Sequence, residues 1–270
     1  MMQHMKPVFS RLLCASFRAS LVLCLSMGSA QAKESVILGI NELSLPPYIM
    51  EDGPGFATQP GLSVELVKVA ANACQVDIVL QRLSAMRLLQ ALKVNSINGV
   101  IQLSYSKERD DYAAFPMKDN QPDANVRLTH LKYSFFTNAN QRMGWDGQHL
   151  TGSDLPVGAI FGWSIVKDLQ KMQIPVDTAT DFKSNLAKLK AGRISAFAVQ
   201  PALAQAYLKG RQDIVELTPA IIEKDYFLPF SHAYKADKPE VVQCLWRQIA
   251  ARRDALMQHL EPVYHELMLR

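Results

Sequence analysis

The sequence predicts an α/β protein of two similar lobes, each a mainly parallel sheet flanked by helices. Three observations predict it. First, a helix–strand unit occurs twice, as RLSAMRLLQALKVNSINGVIQ over residues 82–102 and as DFKSNLAKLKAGRISAFAV over residues 181–199. Shifted by 97 positions (186 − 89), Leu89, Leu92, Lys93 and Ile97 fall on Leu186, Leu189, Lys190 and Ile194. In each copy, leucines at helical spacing meet a polar or glycine break and then a short apolar run, so a helix runs straight into a buried strand. Second, strand-like and helix-like stretches alternate along the chain, the order expected of parallel βαβ units. Third, the chain is 49% apolar without low-complexity segments, enough for two modest cores. A cleft between two such lobes is a natural ligand site.

The elements follow in order. Ser35–Asn41 (SVILGIN) reads as a strand, followed by the Pro46-Pro47-Tyr48 loop and the turn GPGFATQPG. Leu62–Ala73 has apolar residues at 62, 66, 69 and 70, a helical face. Strand 78–80, helix 85–93 and strand 99–103 come next, closed by the charged turn SKERDD. Strands are expected over 131–137 and 155–160, and Ser164 is placed to cap a helix over 165–172. An extended piece at 174–176, helix 182–191, strand 194–199, helix 201–209 and strand 214–217 complete the second lobe. Residues 239–253 form an amphipathic helix, and 256–267 another that Pro262 is expected to kink or split.

The ends and the charge narrow the class. Lys6, Arg11 and Arg18 precede an apolar stretch, Ala19–Gly28, too short to cross a bilayer, and Ala30-Gln31-Ala32 matches an A-x-A cleavage site. Residues 1–32 therefore read as an export signal, and the mature protein is expected in the periplasm. Of the 29 Lys+Arg, three lie in that segment, which leaves 26 against 25 Asp+Glu over the remaining 238 residues (270 less 32), a net charge of +1. That balance gives no support to nucleic-acid binding. Cys74 and Cys244 remain after cleavage; a disulfide and two buried free thiols are both compatible with the spacing. The histidines show no paired ligand spacing, and no G-x-S-x-G or phosphate-loop motif occurs, so no metal or cofactor is expected.

Taken together, GLSVELVKVAANA (61–73), INGVIQLSYSKERDDYAAFP (97–116), LPVGAIFGWS (155–164), NLAKLKAGRISAFAV (185–199) and YFLPFSHAY (226–234) resemble, in order and spacing, the family 3 solute-binding proteins. These are the periplasmic receptors of polar amino-acid transporters. The resemblance implies a type II periplasmic-binding-protein-like fold with discontinuous lobes. Lobe one takes residues 33–124 and 226–270, lobe two takes 125–225, and two extended crossovers form the hinge. It also implies a monomer that binds a small-molecule ligand, closes around it and docks on a membrane permease or a membrane sensor.

The resemblance singles out Arg109, after a Ser-x-Glu-Arg turn, as the clamp for a ligand carboxylate, which the guanidinium fork fits. Pairing of Arg109 with Asp110 or Asp111 is the competing reading. Trp163 and Ser164, after Gly162 and before a helix, offer backbone N–H groups to the same anion, with Trp163 either over the ligand or against its strand. Tyr48 matches a cleft-lining aromatic, Gln102 and Ser104 stand at a strand end where ligands sit, and Arg87 matches a cleft arginine. One position departs from the pattern. Where amino-acid binders carry an aspartate for the ligand ammonium, this chain has Gln200, a neutral amide. Either the ligand lacks the ammonium group, or another acid such as Glu223 or Asp225 reaches it. Asn98 and Ser195 read as structural turn positions. Two other classes stay in view. One is a sensory binding protein; the other is a dehydratase-like enzyme on the same scaffold, for which Glu223 and Lys167 are the only general-acid candidates.

Overall fold

A computed structural model describes residues 1–2 and 33–269, so the expected export signal and its cleavage site lie outside the described residues. Lys33–Arg270 form one compact unit. Its first half runs β1 (Ser35–Asn41), α1 (Leu62–Ala73), β2 (Asp77–Leu83), α2 (Ala85–Lys93), β3 (Gly99–Val100), β4 (Leu103–Ser104), α3 (Lys107–Asp110), β5 (Ala113–Ala114), β6 (Met117–Lys118) and β7 (Gln121–Pro122). Then come β8 (Thr129–Asn138), β9 (Gly144–Trp145), β10 (Leu150–Thr151), β11 (Val157–Ile160), α4 (Ser164–Lys171), β12 (Val176–Ala179), α5 (Phe182–Lys190), β13 (Ala196–Val199), α6 (Pro201–Leu208) and β14 (Ile214–Phe227). The chain ends with β15 (Phe230–Ser231), α7 (His232–Asp237) and α8 (Pro239–Leu269).

Two main sheets form the two lobes: β2-β1-β3-β15-β5, and β12-β11-β13-β8-β14-β4. The sequence repeat is structural. The parallel trio β2-β1-β3 has the same order as β12-β11-β13, and the repeated helix is α2 in one and α5 in the other. Equivalent residues do equivalent work. A Cβ added to Gly39 in β1 would meet Leu88 Cδ2 and Ile97 Cδ1 at 2.5 and 2.6 Å. One added to Gly158 in β11 would meet Asn185 Oδ1 and Ile194 Cδ1, both at 2.6 Å. Asn98 and Ser195, also 97 apart, are the structural positions expected: Asn98 Oδ1 accepts from Ile37 N–H, and Ser195 Oγ donates to Leu155 O.

The sheets are mixed rather than mainly parallel. β15 runs antiparallel to β3 and β5, and β8 runs antiparallel to β13 and β14. The reason is the connectivity: the chain enters lobe two on β8 and leaves it on the adjacent β14, so the two run in opposite directions. The expected strand 214–217 is therefore only the start of a 14-residue strand. The expected strand 99–103 is broken. Gln102 adopts φ 71°, and the chain leaves the first sheet so that β4 pairs with Tyr226 and Phe227 at the edge of the second. At the C-terminus α8 continues through Pro262. The carbonyl that Pro262 leaves without an N–H belongs to Gln258, which is exposed and can be hydrated.

α8 returns across α1. Cys74 and Cys244 join them in a disulfide with Cα atoms 5.9 Å apart, which resolves the choice left open by the sequence. Farther along, the buried Tyr264 Oη accepts from Gly61 N–H at 3.0 Å. Gly61 has φ 117°, and a Cβ there would lie 2.3 Å from Tyr48 O, a backbone atom that cannot yield. Gly61→Ala is expected to destabilise by about 2–3 kcal/mol through strain and overpacking, read as a lower urea midpoint. Cys74→Ala/Cys244→Ala is expected to cost about 2–4 kcal/mol, read the same way; an unchanged midpoint would contradict the α1–α8 staple.

Candidate functional site

A cleft of about 610 Å³, counting its solvent-open space, runs between the sheets. Lobe one contributes Leu43, Leu45 and Ile49 from the loop after β1, and Ala85, Leu88 and Leu89 from the first turns of α2. Val100 to Ser104, crossing from one sheet to the other, form its floor together with Arg109. Lobe two contributes Tyr133, Gly162, Trp163, Ser164 and Gln200, and Tyr226 lines the cleft where β14 crosses back.

Arg109 is set by a capped turn. Ser106 Oγ accepts from Arg109 N–H at 3.3 Å, which winds Lys107–Asp110 into a single turn. The turn folds Arg109 back over β4, where Nη1 donates to Ser104 O at 2.7 Å and to Ser104 Oγ at 2.8 Å. Asp110 is occupied by Lys107 at 3.2 Å. Among the described residues Arg109 forms no ion pair, although it is only 9% exposed. A cation this buried without an acid is costly unless an anion reaches it. Both hydrogen bonds to Ser104 use Nη1, and the Tyr112 hydroxyl also hydrogen-bonds the guanidinium.

Opposite Arg109 lies a buried polar cluster. Tyr226 Oη donates to Tyr133 Oη at 3.1 Å, and Gln200 Nε2 donates to Tyr226 Oη at 3.4 Å. Burial raises the pKa of both tyrosines, Tyr133 most strongly, so both stay neutral. Gln200 Oε1 is buried with no partner among the described residues. Ser164 departs from its expected capping role. The helix begins at Ser164 itself with Trp163 as the N-cap residue, because Ser164 Oγ is engaged by Lys224 Nζ at 2.9 Å instead of a backbone N–H. Lys224 is also ion-paired with Asp168, and burial pulls its pKa down.

The other expected residues divide. Ser104 and Trp163 line the cleft, Trp163 while also packing against the core. Gln102 lines it too, but its amide braces the fold: Oε1 accepts from Ser63 Oγ at 2.8 Å and Nε2 donates to Thr129 Oγ1 at 2.6 Å. Tyr48 and Arg87 do not line it. Tyr48 sits at the apex of a turn whose ends, Leu45 and Ile49, bridge each other and face the cleft, while its own hydroxyl comes under the influence of Glu261 on α8. Arg87 is exposed because α2 turns Ala85, Leu88 and Leu89 inward. Sequence reasoning missed Tyr133, Tyr226 and the leucines. Tyr133 and Tyr226 lay in stretches already singled out, but a tyrosine in an apolar strand reads first as core.

Two contacts bridge the cleft at its rims. Lys167 of α4 pairs with Glu108 of α3, and Tyr207 Oη donates to Asp52 Oδ2 at 3.0 Å. Gly162 has φ 78°, and a Cβ there would come within 3.0 Å of Ala85 Cβ across the cleft, so the loop can approach α2 only as glycine.

Glu223 and Asp225 face away from the cleft. His130 on β8 meets Asp225 through Nδ1 at 2.7 Å and Glu223 through Nε2 at 3.0 Å. The two bonds raise the His130 pKa. A raised native value means that the cluster stabilises fully below the unfolded pKa of about 6.5 and loses that contribution as pH rises through the native value. Thermal melts from about pH 5.5 to 8.5, beside an NMR titration of the His130 ring, are expected to show this fall, and His130→Gln to flatten it. An unshifted ring would contradict the bridge.

No family model matches the chain, and no curated protein matches it. Solved structures do. An amino acid ABC transporter substrate-binding protein from Streptococcus pneumoniae, bound to L-arginine, aligns over 86% of this chain and 94% of its own at 13% identity, TM-score 0.66. A mutant of ArgBP from T. maritima aligns over 83% and 94% at 17% identity, TM-score 0.62. The VFT2 domain of BvgS from Bordetella pertussis aligns over 84% and 92% at 14% identity, TM-score 0.62. At these identities the likeness establishes the fold: the two-lobed periplasmic-binding-protein architecture.

Proposed function

We propose that the protein is an exported solute-binding receptor for a small carboxylate-bearing ligand, handed on to an ABC-type importer in the membrane. Residues 33–124 with 226–270 act as one lobe and 125–225 as the other, rotating about the crossovers near Thr129 and Tyr226. The observation that carries this reading is Arg109, buried, anchored on Ser104 and without an acidic partner among the described residues. A ligand carboxylate supplies the missing charge and the second half of a bidentate pair. Ser164, at the start of α4, adds the positive end of a helix on the facing lobe. The Cys74–Cys244 disulfide fits an oxidising compartment.

An enzymatic role finds less support. Lys167 is paired with Glu108 at the rim and Glu223 with His130, and neither lines the cleft. The sensory role keeps one specific argument, the likeness to the BvgS domain; capture of a membrane kinase or cyclase in place of a permease by the purified protein decides between them.

The ligand test is a thermal-shift and calorimetric screen against small carboxylates. At least one is expected to raise the melting temperature, since a ligand held at 100 times its Kd stabilises by about 2.7 kcal/mol. Arg109→Ala is expected to weaken that ligand by about 2–5 kcal/mol. Equal affinity for the variant would remove Arg109 from the site.

A further inference from the structure

The charge in the cleft is one-sided. Among its lining residues Arg109 alone is ionised, and no Asp or Glu is present. Of the acids adjacent in sequence to lining positions, Glu108 pairs with Lys167, Asp110 with Lys107 and Asp225 with His130, and Glu42, between Asn41 and Leu43, is not itself a lining residue. Asp168, behind Ser164, is taken by Lys224. A ligand ammonium would enter beside a guanidinium with dipoles as its only acceptors, an uncompensated buried charge. The dipoles themselves are specific. Gln200, 2% exposed, bonds Tyr226 through Nε2 and leaves Oε1 without a donor. A buried carbonyl oxygen left so is unfavourable until an N–H or O–H reaches it. The opposite wall is apolar: Leu43, Leu45, Ile49, Leu88 and Leu89.

Resting on the receptor reading above, we infer that the ligand is a monoanionic carboxylate with an apolar body and one neutral hydrogen-bond donor, as in a 2-hydroxy acid, and that the site rejects an α-ammonium group. Arg109 takes the carboxylate, Gln200 Oε1 accepts from the hydroxyl, and the leucine wall covers the body. Gln200 is then the residue that sets specificity, because a carboxylate in its place would supply the charge an ammonium needs.

The test is calorimetric titration of the purified protein with matched sets on a branched aliphatic and a phenyl skeleton. Each set holds the 2-hydroxy acid, the deoxy acid and the α-amino acid. The hydroxy acid is expected to bind tightest, the deoxy acid less tightly, and the amino acid weaker than the hydroxy acid by roughly 100-fold or more. Gln200→Glu is expected to reverse the preference, losing hydroxy-acid affinity and gaining amino-acid affinity. An amino acid that binds the wild type as tightly as its hydroxy acid overturns the inference while leaving the receptor reading intact. A folded Gln200→Glu variant with an unchanged ratio overturns the role of Gln200. Absence of binding by every member, with a cooperative melt showing folded protein, overturns the inference, and the receptor reading falls only if the wider carboxylate screen is also empty.

Discussion

The site is organised around one buried cation that no acid among the described residues neutralises. Arg109 is held by Ser104 on β4, the short strand that has left the first sheet for the edge of the second. The guanidinium is therefore fixed to the junction between the lobes and not to either wall. Desolvating it without an acid is unfavourable, and in the proposed receptor this imbalance is what a ligand carboxylate relieves. The surroundings keep the imbalance in place. Tyr133 and Tyr226 are neutral, and Glu108, Asp168 and Asp225 are bound to Lys167, Lys224 and His130.

In the proposed receptor the junction is where the site would couple to lobe motion. β8 enters lobe two beside β14, which leaves it, and β4 lies on the far side of β14. Gln102 ties this crossing together: its N–H donates to Phe227 O, its Nε2 to Thr129 Oγ1, and its Oε1 accepts from Ser63 on α1. The left-handed backbone at Gln102 is what lets one short segment serve both sheets. The rim contacts, Lys167 with Glu108 and Tyr207 with Asp52, are exposed and individually weak. Such contacts can break at little cost, so the gain from pairing a ligand with Arg109 can decide whether the lobes stay together.

Much of the fold was legible because it rests on periodicity. The repeat at a spacing of 97 predicted two equivalent helix–strand units, and α2–β3 and α5–β13 are those units. What the sequence did not disclose was strand direction and strand breaks. A buried antiparallel strand and a buried parallel one look alike as apolar runs, so β14 was read as four residues, and the break at Gln102 carries no glycine or proline to mark it. The cleft was half legible. Arg109 stands out by residue type and by its Ser106-capped turn. Tyr133, Tyr226 and the leucine wall do not, since apolar and aromatic residues in regular elements look the same whether they face a core or a cleft. Tyr48 and Arg87 fall outside the cleft lining because their orientation depends on a turn apex and a helix rotation that single positions do not reveal.

The central claim, that a ligand carboxylate completes the Arg109 pair, is tested most directly by ¹⁵N NMR of the arginine side chains, with Arg109 assigned by substitution. On addition of a bound carboxylate, the Arg109 Nε–H resonance is predicted to shift and its exchange with water to slow, while other arginines stay in place. A ligand that binds and leaves the Arg109 resonance unmoved would contradict the account.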